Sequence, residues 1–490
     1  MSIRCRAATR ALHVAFAVLI WNSPALANGR FPQSQRLLHD PRDPNRLALA
    51  STYGIVSSAD GARSFQWVCE QAFAKESAEG DPLLEILPDG RWLGGITSSL
   101  NRSSDCGCSW ETVAASGEHE FVADLSVVAN GRVLLLSFSN ETGTFVHRLS
   151  ESTDAGTSWQ PLSVLSELAL ALTLDAAPSR PDRVYVSGYG SDGRGLLGVS
   201  NDRGLSFRYL PIAAAGIDDQ PYIAAVHPHD PDLVFVRTSS LGIEGAQSDA
   251  LLVSRDAGET WDPLIRQGGA LFGFALSPDG ASVAIGFGDR LAPAISADVA
   301  ALGIYRATVA ETFSFEKIYS ASVSCLKWTV EGLYACFAER HPELPAPFAL
   351  GLARDPSFDL NTPEPFEPLL RQADVQGPAA CVQPLCAEAW TANTCSRLRA
   401  RCELSTAPAQ FACGAGAGGA PGGSGGIGAG ASSGGPALEP VEEPSGGCGC
   451  TIPRRGAGAA ALELACALVL AMGLRRRNRA QGTGSSNETP

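Results

Sequence analysis

Methionine is almost missing from this chain of 490 residues, with two, and net positive charge is missing altogether, since 37 Lys and Arg face 51 Asp and Glu. The first scarcity, beside 52 glycines, 32 prolines and 14 cysteines, argues against a cytosolic helical enzyme and for turn-rich β structure in an oxidising compartment. The charge imbalance deepens once the ends are set aside. Of the overall −14, the first 27 residues carry +3 and the segment from Thr451 carries +4, which leaves −21 for residues 28–450. Such a surface repels nucleic acid and anionic lipid, so no nucleic-acid partner is expected. Zinc-ligand spacing is lacking as well. His39, His227 and His229 fall in turns, while His119, His147 and His341 are isolated; no metal and no cofactor is expected.

Candidate targeting segments sit at the two ends. Arg4, Arg6 and Arg10, an apolar run from Ala11 to Ile20 and Ala25-Leu26-Ala27 have the order of a secretory signal peptide, residues 1–27, cleaved before Asn28. A stretch dominated by Gly, Ala, Ser and Pro over 414–447 cannot bury a core and reads as a flexible tether. Cys448-Gly449-Cys450 follows, then Gly456 to Leu474 interrupted by Glu463, then Arg475-Arg476-Arg477-Asn478-Arg479. That apolar segment is a marginal membrane span, and the arginines after it stay on the cytoplasmic side. The ending, over 448–480, resembles the myxobacterial C-terminal sorting domain (MYXO-CTERM). The resemblance implies a membrane-embedded sorting protease acting near Cys448 or Cys450, lipid attachment there, and display at the outer surface with membrane contact through this tail only. Residues 481–490 are expected to be a disordered tail.

Internal repetition is the strongest signal. The pattern Ser-x-Asp-x-Gly-x-Ser/Thr-aromatic occurs in full at 103–110 (Asp105, Gly107, Trp110), 152–159 (Asp154, Gly156, Trp159), 200–207 (Asp202, Gly204, Phe207) and 254–261 (Asp256, Gly258, Trp261). Degenerate copies lie at 58–65 (with Asp60), 308–315 and 353–358, so seven starts are spaced 45 to 54 residues apart. Each copy has a turn upstream between short aliphatic runs, such as Arg183-Val-Tyr-Val-Ser187, which read as strands. A turn between strands one and two and a box between strands three and four make a four-stranded unit, the blade of a propeller. The expected fold is therefore all-β, a seven-bladed β-propeller over 28–372, followed by a small cysteine-rich disulfide module over 373–413.

The box residues have a structural explanation. Asp accepts hydrogen bonds from its own turn, Gly supplies positive φ, and the aromatic enters the packing between sheets. The same aspartates recur from blade to blade, which argues against a catalytic role. These boxes resemble those of the sialidase/BNR (Asp-box) superfamily, which implies the fold and leaves activity open, since that superfamily holds enzymes and binders.

Arg30-Phe31-Pro32 resembles the Arg-Ile-Pro motif of sialidases, but most other arginines sit in turns or boxes. What breaks the repeat is Gly216 to Tyr222, where Asp218, Asp219 and Tyr222 are expected to approach the central channel from the start of an inner strand. Paired carboxylates there are weak catalytic candidates with Arg30, or a solvated loop. The favoured expectation is a non-catalytic surface module binding a glycan or extracellular protein ligand; the alternative is a surface glycoside hydrolase. Among the cysteines, Cys325 and Cys336 flank a turn symmetrically and suit a disulfide across a hairpin. Cys69 is expected to pair with Cys106 or Cys108 between the first two blades.

Overall fold

A computed structural model describes residues 33–73, 82–96, 99–113, 120–128, 130–141, 144–216, 219–240, 248–289 and 298–404, all within one compact unit. Its strands form seven four-stranded antiparallel sheets, over residues 34–68, 83–112, 120–164, 170–211, 219–268, 270–319 and 323–370. Within each sheet the strands pair in chain order. The first strand of each sheet packs against the first strand of the next, and that of the seventh against that of the first. The fold is a seven-bladed β-propeller.

Each blade has a neighbour on both faces, and the second strands show the consequence. Val133 to Leu136, Val234 to Val236 and Val283 to Ile285 are fully buried without alternation, as expected where both faces of a sheet are covered. Burying such a side chain stabilises by roughly 1.5–3 kcal/mol. The cores lie between blades. Leu134, Leu136 and Leu149 of blade 3 pack with Leu174, Val184 and Val186 of blade 4. Val234, Val236 and Leu252 of blade 5 meet Tyr185, Leu197 and Leu210 of blade 4.

All seven boxes join strands three and four of their blades. In blade 3, Ser152 Oγ donates to Asp154 Oδ1 at 2.8 Å and accepts the Gly156 N–H at 2.8 Å. Asp154 in turn accepts the Ser158 N–H at 2.9 Å and its hydroxyl at 2.7 Å. The residue before each intact glycine is left-handed too: Cys106, Ala155, Arg203 and Ala257 have φ of 56°, 56°, 69° and 57°. Each turn also touches the previous blade. A Cβ on Gly156 would lie 2.7 Å from Leu93, and one on Gly258 2.6 Å from Leu197. Trp159 and Trp261 pack into the interfaces on that same side. The box thus staples its own hairpin and seats it against the preceding blade.

Cys325 and Cys336 are paired residues of one hairpin and are joined by a disulfide, with Cα atoms 4.8 Å apart. Cys69 pairs differently from the expectation. It bonds to Cys386 across 317 residues, and Cys108 bonds to Cys381 across 273; Cys106 is also disulfide-bonded. The physical reason is that the chain, on leaving blade 7, returns to the outer edges of blades 1 and 2. Residues 376–379 pair with the fourth strand of blade 1: Gln376 N–H donates to Phe65 O, Trp67 N–H to Gly377 O, and Ala379 N–H to Trp67 O. Helical turns over 383–398 follow, with Trp390 fully buried and 5.6 Å from Trp67.

Candidate functional site

Asp219 opens the first strand of blade 5, Asp219–Val226, so the irregular segment does reach an innermost strand. Its carboxylate is already engaged. Oδ2 accepts the Gly216 N–H at 2.9 Å and lies 3.4 Å from Arg266 of the blade's outermost strand, and the residue is 8 % exposed. Tyr222 donates its hydroxyl to Gln220 at 2.7 Å and carries the Arg237 guanidinium over its ring at 4.4 Å. Asp218 and Arg30 lie outside the described residues, as do Cys448 and Cys450. Asp219 and Tyr222 therefore brace blade 5, and neither stands as a free acid or nucleophile.

Sequence reasoning missed a belt of charged side chains around the channel. Arg36, Glu85, Asp124, Asp175 and Lys327 come from the first strands of blades 1, 2, 3, 4 and 7, and they sense one another's charge. Arg36 pairs with Glu85 at 2.5 Å while keeping 47 % of its side chain accessible. First strands of six blades carry a register shift, around residues 35, 123, 172, 224, 272 and 324. A bulge adds one residue and re-aims those after it. Simple alternation from the sequence then points Arg36, Asp124, Asp175 and Lys327 the wrong way, which hid the belt, although Glu85 sits on a first strand without a shift.

Carboxylates of the belt serve mainly as links from one blade to the next. Asp124 of blade 3 accepts the Leu174 N–H of blade 4 at 2.9 Å. Asp175 of blade 4 accepts from Ser126 of blade 3 at 3.3 Å and from its neighbour Ala176 at 2.8 Å. Thr173 of blade 4 accepts the Ile223 N–H of blade 5 at 2.8 Å. Fully buried Asp249 of blade 5 accepts the Leu271 N–H of blade 6 at 2.9 Å, with Arg237 3.8 Å away. For Asp124 and Asp175 burial outweighs the hydrogen bonds that favour the anion, lifting Asp124 to about 7 and Asp175 to about 6. His39, near the turn end of the channel, is pushed down to about 4 by burial and by Lys327, so it is neutral at physiological pH.

Among the described residues no group of three or more His, Cys, Asp or Glu is placed to hold a metal ion. No helix among them is long and apolar enough to cross a membrane; the expected tail lies beyond them.

No family model matches the chain, and no curated protein does. Solved structures similar to it include glycoside hydrolases at low identity. An ancestral GH74 enzyme has 17 % identity and a TM-score of 0.45, over 60 % of this chain and 40 % of that one. The GH74 xyloglucanase from Xanthomonas campestris has 16 % and 0.32, over 62 % and 61 %. The Hadza microbial sialidase Hz136 has 13 % and 0.35, over 60 % and 70 %. This chain thus spans less than two thirds of either GH74 chain, and the likeness extends to the fold alone.

Proposed function

We propose that the chain is an exported Asp-box propeller, held at the outer cell surface by its C-terminal sorting tail, and that it binds a glycan or an extracellular protein without catalysis. One observation carries the non-catalytic half of this reading: the channel acids are tied into the architecture. A general acid or nucleophile must present its carboxyl to substrate. Asp219, Asp124, Asp175 and Glu85 instead hold backbone N–H groups or an arginine of their own ring. The acidic surface and the ordered export signals support an extracellular partner. Purified mature protein incubated with sialosides, plant and bacterial polysaccharides, with binding and sugar release followed together, tests it. Binding without release is expected; release lost in Asp219→Asn would sink the reading.

A second reading has one observation in its favour. Asp124, lifted to about 7, keeps its proton in much of the population at neutral pH, as the acid of a glycosidase requires. If the protein is a surface glycoside hydrolase, sugar release should fall at least a hundredfold in Asp124→Asn while the fold survives.

A further inference from the structure

We infer that residues 376–402 form a clasp that closes the ring covalently after its last blade and passes any pull on the C-terminal tail into blade 1, sparing blade 7. Every blade consists of four consecutive strands, so among the described residues no strand is exchanged between the chain ends to hold the ring shut. The clasp takes that place. It adds a fifth, parallel element to the outer edge of blade 1 through Gln376, Gly377 and Ala379. It is bonded to blade 1 at Cys69–Cys386 and to blade 2 at Cys108–Cys381. It is tied to blade 7 by Arg340, whose guanidinium donates to the carbonyls of Arg397 and Leu398 at the end of the last helical turn. Cys395–Cys402 and the Trp390 Nε1–H bond to Arg401 O keep that end folded back on itself.

The geometry separates two kinds of attachment. Apart from the chain that leads into it, blade 7 holds the clasp by the hydrogen bonds of Arg340, which part singly under load, whereas blades 1 and 2 hold it by disulfides. Tension arriving from beyond Leu404 reaches Cys386 through a short stretch of chain and crosses there to Cys69. The stretch between those cysteines, which stand 317 positions apart and enclose blades 2 to 7, stays out of the line of force. The part concerning tension rests on the tethered reading given above; the closure does not.

Two measurements on the whole mature protein test this. In the first, hydrogen exchange is compared between the oxidised protein and the variants Cys69→Ser/Cys386→Ser and Cys108→Ser/Cys381→Ser. Exchange in the first strands of blades 1 and 7, Ser34–Asp40 and Val323–Thr329, should rise at least tenfold. Leu170–Ala176 of blade 4 should change little. Uniform acceleration, or none in either variant, overturns the closure. In the second, single molecules are pulled between an N-terminal handle and one in the tail, with and without a dithiol reductant. The locked segment should be missing from the oxidised trace and return on reduction, about 1,100 Å at 3.3–3.6 Å per residue. An oxidised trace that already contains that length overturns the load path. Neither measurement requires a cell surface, so failure of the tethered reading leaves both results intact.

Discussion

The seams between blades 3, 4, 5 and 6 are joined differently from the seam where blade 7 meets blades 1 and 2. Along the former, where the chain runs continuously, half-buried Asp124 and Thr173 and fully buried Asp249 reach across to the next blade: Asp124 to Leu174, Thr173 to Ile223 and Asp249 to Leu271. At the latter, where the two ends of the ring meet, closure relies on a returning segment and disulfides spanning 273 and 317 residues. Neighbours in sequence are already close, so a single hydrogen bond suffices to orient them. Ends that are far apart in sequence carry the full loop-closure entropy, and a covalent bond removes most of it from the unfolded chain.

The sharpest way to break this comparison is to cut the clasp. Cys69→Ser/Cys386→Ser, which with Cys108–Cys381 intact opens a loop of about 45 residues, should lower stability by about 4 kcal/mol in denaturant titrations, against about 2–3 kcal/mol for Cys325→Ser/Cys336→Ser, as chain-entropy scaling with loop length predicts. The second pair closes only 11 residues, so equal losses would refute a special role at the seam. On the stitched side, Asp249→Ala removes, at a fully buried position, the acceptor of the Leu271 N–H and the carboxylate 3.8 Å from Arg237. That should cost about 2–3 kcal/mol, and a neutral result would mean the stitches only decorate the packing.

The pH dependence probes the stitches next. Asp124 and Asp175 have raised values in the folded ring, so the stability they favour is whole below the ordinary carboxylate range near 4 and is lost as pH rises through about 6 to 7. Asp154, held down to about 2 by the N–H and hydroxyl of Ser158, acts oppositely, and its contribution is lost as pH falls toward 2. The melting temperature should therefore peak between about pH 4 and 6. Asp124→Asn should reduce the decline on the alkaline side by about 1–2 kcal/mol; an identical pH profile would show that Asp124 ionises freely in the channel. The smallest effect is local. Asp154→Ala removes the hydrogen bonds of one exposed turn and should cost about 1 kcal/mol, with no change in hydrogen exchange beyond blades 2 and 3.

How much of this was legible in the sequence follows from how far each residue's partner lies along the chain. Asp154 and Gly156 serve a turn of eight residues, so their roles could be read from spacing alone, and the seven blades with them. Cys325 and Cys336 were legible for the same reason, sitting opposite each other across one hairpin. The pairing of Cys69 was not, because nothing near it announces that the chain returns past blade 1 some 300 residues later. At the site, Asp219 was placed correctly on an innermost strand, but its bond to Arg266 crosses the blade from first strand to fourth. The charged belt was hidden by one-residue bulges, which alternation cannot anticipate. The left-handed Cys106, Ala155, Arg203 and Ala257 occupy variable slots of the repeat, and their identities say nothing of the backbone they adopt.

That every blade is made of four consecutive strands has a genealogical consequence. Unit boundaries in the fold coincide with unit boundaries in the gene, so a blade can be copied or deleted as one cassette without cutting a sheet. The clasp then works as a gauge on such events: it must span from blade 7 to blades 1 and 2, and only a ring whose first and last blades meet brings its cysteines within bonding distance.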